Sequence, residues 1–242
     1  MHRFFIPPEA IQNGIITFPE NIARQISKVL RLQDGNEVTV LDGSNIEYLV
    51  KLDQVSTSLV KGHVTARGAS SGEPSIRVHL CIALTQREKF EWILQKCTEV
   101  GVASFTPVIT SRSLIQNPAE VVGKYPRWHN IIREAAEQSH RGLVPTLNPV
   151  SKFENLLKDS ISNTKLRLFF WEEEHGIGLK SILGKYSGSE VCLIIGPEGG
   201  LSAGEAEMAK TAGYQSVSLG TRILRMETAA VVATALVLYE LG

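Results

Sequence analysis

Two apolar, strand-like runs near the end of the chain each lead into a glycine turn, and each turn opens onto a helix. Both lie within Ile194–Ala230, which reads IIGPEGGLSAGEAEMAKTAGYQSVSLGTRILRMETAA. Repeated strand–turn–helix units are typical of an open α/β sheet, because a parallel strand needs a crossover before the next one. Ligands bind in such sheets at the turns that follow the carboxyl ends of the strands. The pattern therefore predicts that the two turns together hold one small molecule.

The chain before about residue 72 follows a different pattern. Residues 19–32 place apolar side chains at helical spacing, and Gly35 follows as a helix stop. An Asp-Gly turn then separates strand-like runs, which is a hairpin signal; the runs are Val38–Leu41, Tyr48–Leu52 and Leu59–Ala66. The stretch Arg67–Pro74 is small, polar and glycine-rich, as linkers are. We therefore predict a small β-rich domain with one helix over residues 1–72.

Residues 73–242 alternate between strand-like and helix-like runs. The predicted strands are Ile76–Leu84, Phe105–Ile109, Leu166–Trp171, Val191–Ile195 and Ser216–Leu219. The predicted helices are Glu88–Val100, Arg127–His140, Ser202–Ala212 and Thr228–Leu241. Such alternation indicates an α/β domain with a mostly parallel sheet that is covered on both faces.

The charge balance argues against a general electrostatic attraction to nucleic acid. Lys plus Arg and Asp plus Glu number 25 each, so the formal net charge is zero. If RNA is the partner, its basic contacts must be gathered on one face of the protein. No apolar run approaches the roughly 20 residues of a membrane-spanning helix, and the proline-interrupted start differs from a signal peptide. We expect no membrane partner.

The cysteines and histidines indicate neither a disulfide framework nor a metal site. Cys81, Cys97 and Cys192 lie in apolar surroundings without metal-ligand spacing, which predicts buried, reduced thiols in a cytoplasmic protein. Histidines at positions 129, 140 and 175 also lack metal-ligand spacing. We therefore predict that the protein binds no metal.

The first turn, Gly196–Gly200, reads GPEGG and directly follows an apolar run. Its glycines permit positive φ angles and a close approach between backbone and ligand. It lacks the Lys-Ser/Thr pair of a phosphate-binding loop and the G-x-G-x-x-G pattern of a dinucleotide site. Ser202 and Glu205 predict a capping box at the start of the next helix. A tight turn that binds nothing explains the loop equally well on form alone.

The second turn carries apolar Ile223 and Leu224 among cationic neighbours. These side chains either pack on the core or line an apolar pocket for a planar ring, whose edges backbone amides would read. Arg225 is either solvated or acts beside the ligand. Glu227 is explained equally well by the favourable position of a negative charge at a helix start.

The last helix is apolar almost all round from Ala229 to Leu238. Such a helix is either buried within its own chain or packed against another subunit, and its alanines permit close approach. We predict that it forms part of a homodimer interface. Burial inside the monomer is the competing interpretation.

Several segments, taken in order along the chain, carry a resemblance to a known family. They are MHRFF at the start, LQKCTEVGV at 94–102, EAAEQSHR at 134–141, IIGPEGGLS at 194–202 and LGTRILRMETAA at 219–230. Together they resemble the RsmE family, the ribosomal RNA small-subunit methyltransferases of the SPOUT superfamily. The last two segments are the most specific, and the resemblance extends over essentially the whole chain.

The resemblance implies a PUA-like, RNA-binding β-barrel over residues 1–72 and a SPOUT α/β domain with a trefoil knot over residues 73–242. It implies a homodimer that binds S-adenosylmethionine in the knot and methylates N3 of one uridine in 16S rRNA. The zero net charge fits a structured target recognised by its shape, and we expect this target to be the assembled small subunit in the cytoplasm. Carried over by motif, one wall of the cofactor site comprises Ile195, Gly196 and Gly200. The other wall comprises Leu219, Gly220, Ile223 and Leu224, whose backbone groups would read the adenine.

Uracil N3 carries a proton at neutral pH and lies on the base-pairing edge, so the base must be unpaired or flipped to react. A cation near the uracil oxygens would stabilise the developing anion, and a carboxylate could accept the proton. Arg225 and Glu227 are the candidates for these two roles. Basic residues of both domains are expected to contact phosphates, namely Arg3, Arg24, Arg87, Lys89, Arg133 and Arg141.

Two other functions remain open from the sequence alone. A non-catalytic ribosome-assembly factor could keep this fold, although it would not need both loops of a cofactor site. A related SPOUT enzyme could instead methylate a ribose hydroxyl or a different base.

Overall fold

Contacts between residues divide the protein into two units. The structure, a computed structural model, describes residues 1–158, 164–174 and 176–242. The first unit comprises Met1–Glu73 together with Ala136–Val144, and the second comprises Pro74–Ala135 together with Pro145–Gly242. The first unit is therefore built from two stretches of chain that lie far apart in the sequence.

A six-stranded sheet forms the first unit, in the order β1-β4-β5-β6-β3-β2. Its strands are β1 (Arg3–Phe5), β2 (Ile11–Gln12), β3 (Ile15–Thr17), β4 (Glu37–Leu41), β5 (Ile46–Val55) and β6 (Val60–Ala69). β1 runs parallel to β4, and the other pairs are antiparallel. Sheet and helix both contribute to the core, which includes Phe4, Ile16, Ile26, Val40 and Val50.

The helix predicted over residues 19–32 is present but shorter. α1 covers Glu20–Arg24 and continues as a π-helical turn over Gln25–Val29. Arg31 has a φ of 53°, the left-handed conformation that commonly closes a helix. Leu32 N–H donates back to the Ile26 carbonyl at 3.0 Å. The chain therefore leaves the helix before Leu32.

The stretch predicted as a linker, Arg67–Pro74, is held by specific contacts. β6 continues to Ala69, where it still pairs with β5. Further along, the Glu73 carboxylate accepts hydrogen bonds from the backbone N–H groups of Gly142 and Leu143. Small polar residues favour a linker on composition, but partners remote in the sequence decide the conformation here.

The second unit contains a seven-stranded sheet in the order β10-β8-β7-β12-β11-β13, with β9 paired to β8. Its strands are β7 (Arg77–Ala83), β8 (Ser104–Ile109), β9 (Thr146–Leu147), β10 (Ser151–Lys152), β11 (Leu166–Phe170), β12 (Glu190–Ile195) and β13 (Gln215–Val217). The helices after residue 74 are α2 (Arg87–Val100), α3 (Ala119–Val122), α4 (Tyr125–Gln138), α5 (Phe153–Leu156), α6 (Leu179–Leu183), α7 (Ala203–Thr211) and α8 (Met226–Leu241). All pairings in this sheet are parallel. The predicted α/β class with a parallel sheet is confirmed.

The order of the strands brings three carboxyl ends together. β11 pairs with β12 on one side and with β13 on the other. The segment that connects β12 to β13 therefore crosses from one side of β11 to the other. Phe170 at the end of β11 lies opposite both Ile195 and Val217. Since parallel neighbours end at the same edge of a sheet, the segments that follow these strands are adjacent, which is where α/β sheets bind ligands.

The cysteines at positions 81, 97 and 192 are buried and form no disulfide, as predicted. Within the described ranges, no helix is long and apolar enough to cross a membrane. The described residues also contain no group of three or more His, Cys, Asp and Glu side chains that could hold a metal ion. His175, one of the histidines considered from the sequence, lies outside the described residues.

We expect His79 to make the protein less stable as the pH falls from neutral to mildly acidic. Its imidazole is half-buried in β7, with Nδ1 2.7 Å from the Ser104 hydroxyl. Burial lowers the pKa of His79 below its usual 6.5; Glu190 partly offsets this effect and Arg77 adds to it. As the pH falls through the usual value, the unfolded chain takes up a proton before the folded protein does, which favours unfolding.

Thermal unfolding of the native protein and of His79→Gln, compared between about pH 7.5 and about pH 5.5, tests this expectation. The melting temperature of the variant should fall less over that range. Equal falls in both proteins would show that His79 does not contribute.

Candidate functional site

A cavity of about 560 Å³ opens at the shared edge of β11, β12 and β13, beside the first turn of α8. Its volume lies within the range of small-molecule sites, about 300–1,000 Å³. Both glycine turns border it. The residues predicted for cofactor binding and for the chemistry all lie in its lining, namely Ile195, Gly196, Gly200, Leu219, Gly220, Ile223, Leu224, Arg225 and Glu227.

The GPEGG turn depends on glycine at two positions. Gly196 is buried directly after β12, and a Cβ there would lie 3.2 Å from Leu201. Gly200 has a φ of +67°, in the left-handed region that favours glycine, and a Cβ there would lie 2.6 Å from Glu172 Oε1. At these positions the bare backbone therefore forms the wall of the cavity.

A buried carboxylate holds the GPEGG turn in place. Glu205 in α7 accepts hydrogen bonds from Ser202, which caps the helix in return, so the predicted capping box is confirmed. The same carboxylate accepts from the N–H of Ser111 at 2.7 Å and from its hydroxyl at 2.9 Å. Burial acts to raise the pKa of Glu205, but the hydrogen bonds outweigh it and lower the pKa. Arg112 Nη1 also donates to the Gly199 carbonyl at 2.6 Å, so the segment after β8 holds the turn from outside.

The second turn presents an apolar side chain that does not pack on the core. Ile223 is 87% exposed, and both it and the partly buried Leu224 line the cavity. Gly220 has a φ of 113°, and the Ser218 hydroxyl bonds to both its N–H and its carbonyl. Ile223 therefore does not pack on the core, and its position agrees with the alternative interpretation that it lines a pocket.

Arg225 and Glu227 lie at the start of α8 on the cavity lining. The Arg225 side chain is exposed. Glu227 lies in the first turn of the helix, where a negative charge is favoured. Its Oε2 atom is buried with no hydrogen-bond partner among the described residues. Because a buried oxygen without a partner is unfavourable, this carboxylate is suited to a donor that a ligand supplies.

The end of β11 forms a third wall that sequence reasoning missed. Phe170, Trp171 and Glu172 line the cavity, and Lys210 Nζ lies 5.0 Å from the centroid of the Trp171 ring, within cation–π range. A local signal exists, because acidic residues directly follow an apolar strand. It becomes informative only once β11 is known to lie between β12 and β13.

Residues from the end of β7 and the start of α2 also reach the GPEGG turn. Glu198 Oε1 accepts a hydrogen bond from the Thr85 hydroxyl and another from the Lys89 ammonium at 3.0 Å. Burial acts to raise the pKa of Glu198, but the hydrogen bonds from Thr85 and Lys89 outweigh it and lower the pKa. Lys89, which the sequence predicted as a phosphate contact, also lies on the cavity lining.

Two further predicted phosphate contacts lie in the second unit. Arg87, whose side chain is 60% exposed, shares the carboxylate of Glu91 with Arg127, which sequence reasoning missed. Hydrogen bonds from Arg127 and Arg87 lower the pKa of Glu91. Arg133 contacts the Asn130 side chain at 3.1 Å. The structure thus brings two arginines together around one carboxylate.

In the first unit, Arg3 and Arg24 differ in accessibility. The Arg3 side chain is only 9% exposed and pairs with Glu47 at 2.9 Å. Arg24 is exposed and pairs with Glu20, one helical turn away. Arg24 is therefore the more accessible of the two for a phosphate.

Arg141 is also predicted as a phosphate contact, but the structure buries it in the first unit. It is only 2% exposed, and its Nε and Nη2 atoms donate to the Glu73 carboxylate at 3.1 and 2.7 Å. The same carboxylate accepts from Gly142 and Leu143, so it is fully engaged. A phosphate would reach this guanidinium only by displacing Glu73, and we therefore remove Arg141 from the RNA contacts.

α8 buries one face and exposes another. Ala230, Ala233 and Val237 are fully buried, where the helix packs against α2, β7 and β12. Leu236 and Tyr239 are 44% and 85% exposed. Burial within the monomer explains the first face, and the second remains an exposed apolar surface.

Comparison with known sequences identifies relatives over most of the chain. The model of a family described as an RNA methyltransferase domain matches residues 72–238. Ribosomal RNA small subunit methyltransferase E of Synechocystis sp. is 33% identical over 97% of this chain and 76% of its own length. The protein of the same name from Bacillus subtilis is 31% identical over 89% of this chain and 86% of its own length.

Solved structures share the architecture. A ribosomal RNA small subunit methyltransferase E from Neisseria gonorrhoeae, bound to S-adenosyl methionine, matches with a TM-score of 0.88 at 27% identity, covering 100% of this chain and 98% of its own. A putative methyltransferase from Legionella pneumophila, in complex with the same cofactor, also gives 0.88, at 28% identity over 97% of this chain and 96% of its own.

Replacing Arg141 by Met should destabilise the protein by about 3 kcal/mol, because removing one partner of a buried ion pair leaves the other charge uncompensated. Urea unfolding measures the change. Arg24→Met is the matched control, since its exposed pair contributes less than about 1 kcal/mol. A variant of Arg141 that unfolds like the native protein but binds RNA more weakly would restore the phosphate-contact interpretation.

Proposed function

The chain belongs to the RNA methyltransferase family, and from this premise we propose that it methylates N3 of one uridine in 16S rRNA. Methylation of ribosomal RNA with S-adenosylmethionine is the activity that its relatives support. The observation that carries the proposal is the cavity, which brings both glycine turns and the charged start of α8 together. The choice of uridine N3 rests on the RsmE resemblance and on the acid–base groups at the cavity.

The residues of the cavity fit S-adenosylmethionine. Ile195, Leu219 and Leu224 offer apolar contact to an adenine ring, and Gly196 and Gly220 contribute backbone without side chains to the lining, which suits its polar edge. Side chains of both charge signs complete the lining, as a ligand with a sulfonium and an amino acid end requires. The cofactor supplies an electrophilic methyl group on its sulfonium.

The protein has two tasks at the uracil. Glu227 accepts the N3 proton, and its buried Oε2 is not already engaged by a described residue. Arg225 offers a cation to the uracil oxygens that take up negative charge. Both belong to the start of α8, so a base bound there can meet both groups.

The proposal extends to the finer architecture that the RsmE resemblance implies. The first unit would be a PUA-like, RNA-binding barrel, which its largely antiparallel sheet supports. A trefoil knot would enclose the cofactor, which the crossing of the chain from β12 past β11 to β13 supports. Exposed Arg24, Arg87 and Arg127 would contact phosphates of the rRNA in the small subunit, in the cytoplasm.

The exposed face of α8 would join two copies of the chain in a homodimer. Leu236 and Tyr239 present apolar surface to solvent on a helix whose opposite face is buried. Exposed apolar patches mark interaction sites, and their burial drives association.

Arg225→Ala and Glu227→Gln should each lower kcat by about 100-fold, as the loss of charge stabilisation or of a general base does. The assay is methyl transfer from labelled S-adenosylmethionine to small subunits that lack the modification, with the modified base mapped as 3-methyluridine. Cofactor affinity, measured by calorimetry, should change little.

Matched controls are Arg77→Ala and Glu190→Gln, an exposed ion pair at the opposite edge of the sheet. Both should keep native turnover. Full turnover in the Arg225 and Glu227 variants would refute their assignment, and a different methylated base would refute uridine N3.

Leu236→Glu should convert the dimer to a monomer, because a charge on the α8 face would be buried without a partner. Light scattering gives the mass. Val29→Glu, a charge at an exposed apolar residue of the first unit, is the control and should leave the dimer intact. A native protein with the mass of one chain would contradict the homodimer.

A further inference from the structure

One ion pair at the cavity has no role in the adenine contacts or in the uracil chemistry proposed above. Lys89 in the first turn of α2 and Glu198 in the GPEGG turn are 3.0 Å apart, and both line the cavity. Their side chains are 34% and 36% exposed, so each is partly buried and still accessible. A cation and an anion are thus presented side by side to whatever binds there.

The hydrogen bonds leave each member of the pair with unused capacity toward a ligand. Glu198 Oε1 accepts hydrogen bonds from both Thr85 and Lys89, and the backbone N–H of Glu198 also bonds to this carboxylate. A carboxylate has about four acceptor positions, so it can still accept a donor from a ligand. The Lys89 ammonium has three donors, and Glu198 is its partner within the described residues. Thr85, two residues after β7, is buried at 3% exposure, so it holds the carboxylate in a fixed orientation.

We infer that Lys89 and Glu198 form the subsite for the zwitterionic amino acid end of S-adenosylmethionine. Lys89 donates to the α-carboxylate, and the Glu198 carboxylate accepts from the α-ammonium. The inference rests on the proposed cofactor. It assigns Lys89 to the cofactor rather than to the RNA backbone, where the sequence placed it.

Charge complementarity favours the amino acid over a phosphate. A phosphodiester has only acceptor oxygens and a negative charge. A phosphate close enough to be attracted by the Lys89 ammonium would therefore be repelled by the adjacent Glu198 carboxylate. An α-amino acid carries both signs on adjacent groups and satisfies both side chains. Ligands that lack this end cannot use the subsite.

Calorimetry with two ligands tests the inference directly. S-adenosylhomocysteine carries the amino acid end, and 5′-methylthioadenosine keeps the nucleoside but lacks it. Lys89→Met and Glu198→Gln should each raise the Kd for S-adenosylhomocysteine by about tenfold or more, as loss of a charge-assisted hydrogen bond does. Neither should change the Kd for 5′-methylthioadenosine, which also shows that the cavity remains folded.

The same helix supplies matched controls. Lys96 and Glu99 form an ion pair of 2.8 Å with side chains 36% and 29% exposed, and they do not line the cavity. Lys96→Met and Glu99→Gln should leave both dissociation constants unchanged.

Three outcomes would overturn the inference: equal loss of affinity for both ligands, no loss for either, or a higher KM for RNA with unchanged cofactor affinity. The last would return Lys89 to phosphate binding. Failure of the native protein to bind S-adenosylhomocysteine at all would instead contradict the proposed function, so the two failures are distinguishable.

Discussion

The parallel pairing of β11 with both β12 and β13 is the constraint on which the site depends. Phe170 lies opposite Ile195 and Val217 at once, so the three strands end level and their following segments meet. A shift of one residue in either pairing would turn every side chain to the other face of the sheet. Ser111, through the Glu205 carboxylate, and Arg112 then tie the GPEGG turn to the segment that follows β8. The cavity is therefore shaped by the sheet and its caps, and little ordering remains for a ligand to impose.

Features whose signals are local were predictable from the sequence. Ser202 and Glu205 are three residues apart, so their capping box is visible without any tertiary information. The longer strands and helices follow from their periodicity, whereas two-residue strands such as Thr146–Leu147 present no alternation to detect. The sequence also predicts that both glycine turns lie at the same edge of the sheet, because the carboxyl ends of parallel strands meet there.

Features that depend on remote partners were not predictable. Glu198 meets Thr85 and Lys89 across more than a hundred residues, and no pattern in either segment indicates the other.

The motif 134–141 also depends on remote partners. Glu137 and Arg141 are spaced for an ion pair along a helix, but α4 ends at Gln138 and His140 has a φ of 60°. Glu137 accepts a hydrogen bond from the Phe5 N–H and Arg141 pairs with Glu73, and the local spacing indicates neither of these remote partners.

The composition of the first unit bears on how the chain folds during synthesis. Residues 1–73 emerge from the ribosome well before residues 136–144, which belong to the same unit. Until then the Glu73 carboxylate lacks Arg141, Gly142 and Leu143, and the Phe5 N–H lacks Glu137. The amino-terminal sheet can begin to form early, yet its final contacts wait for the end of α4. The first unit is thus completed only after much of the second unit, Pro74–Ala135, has been synthesised.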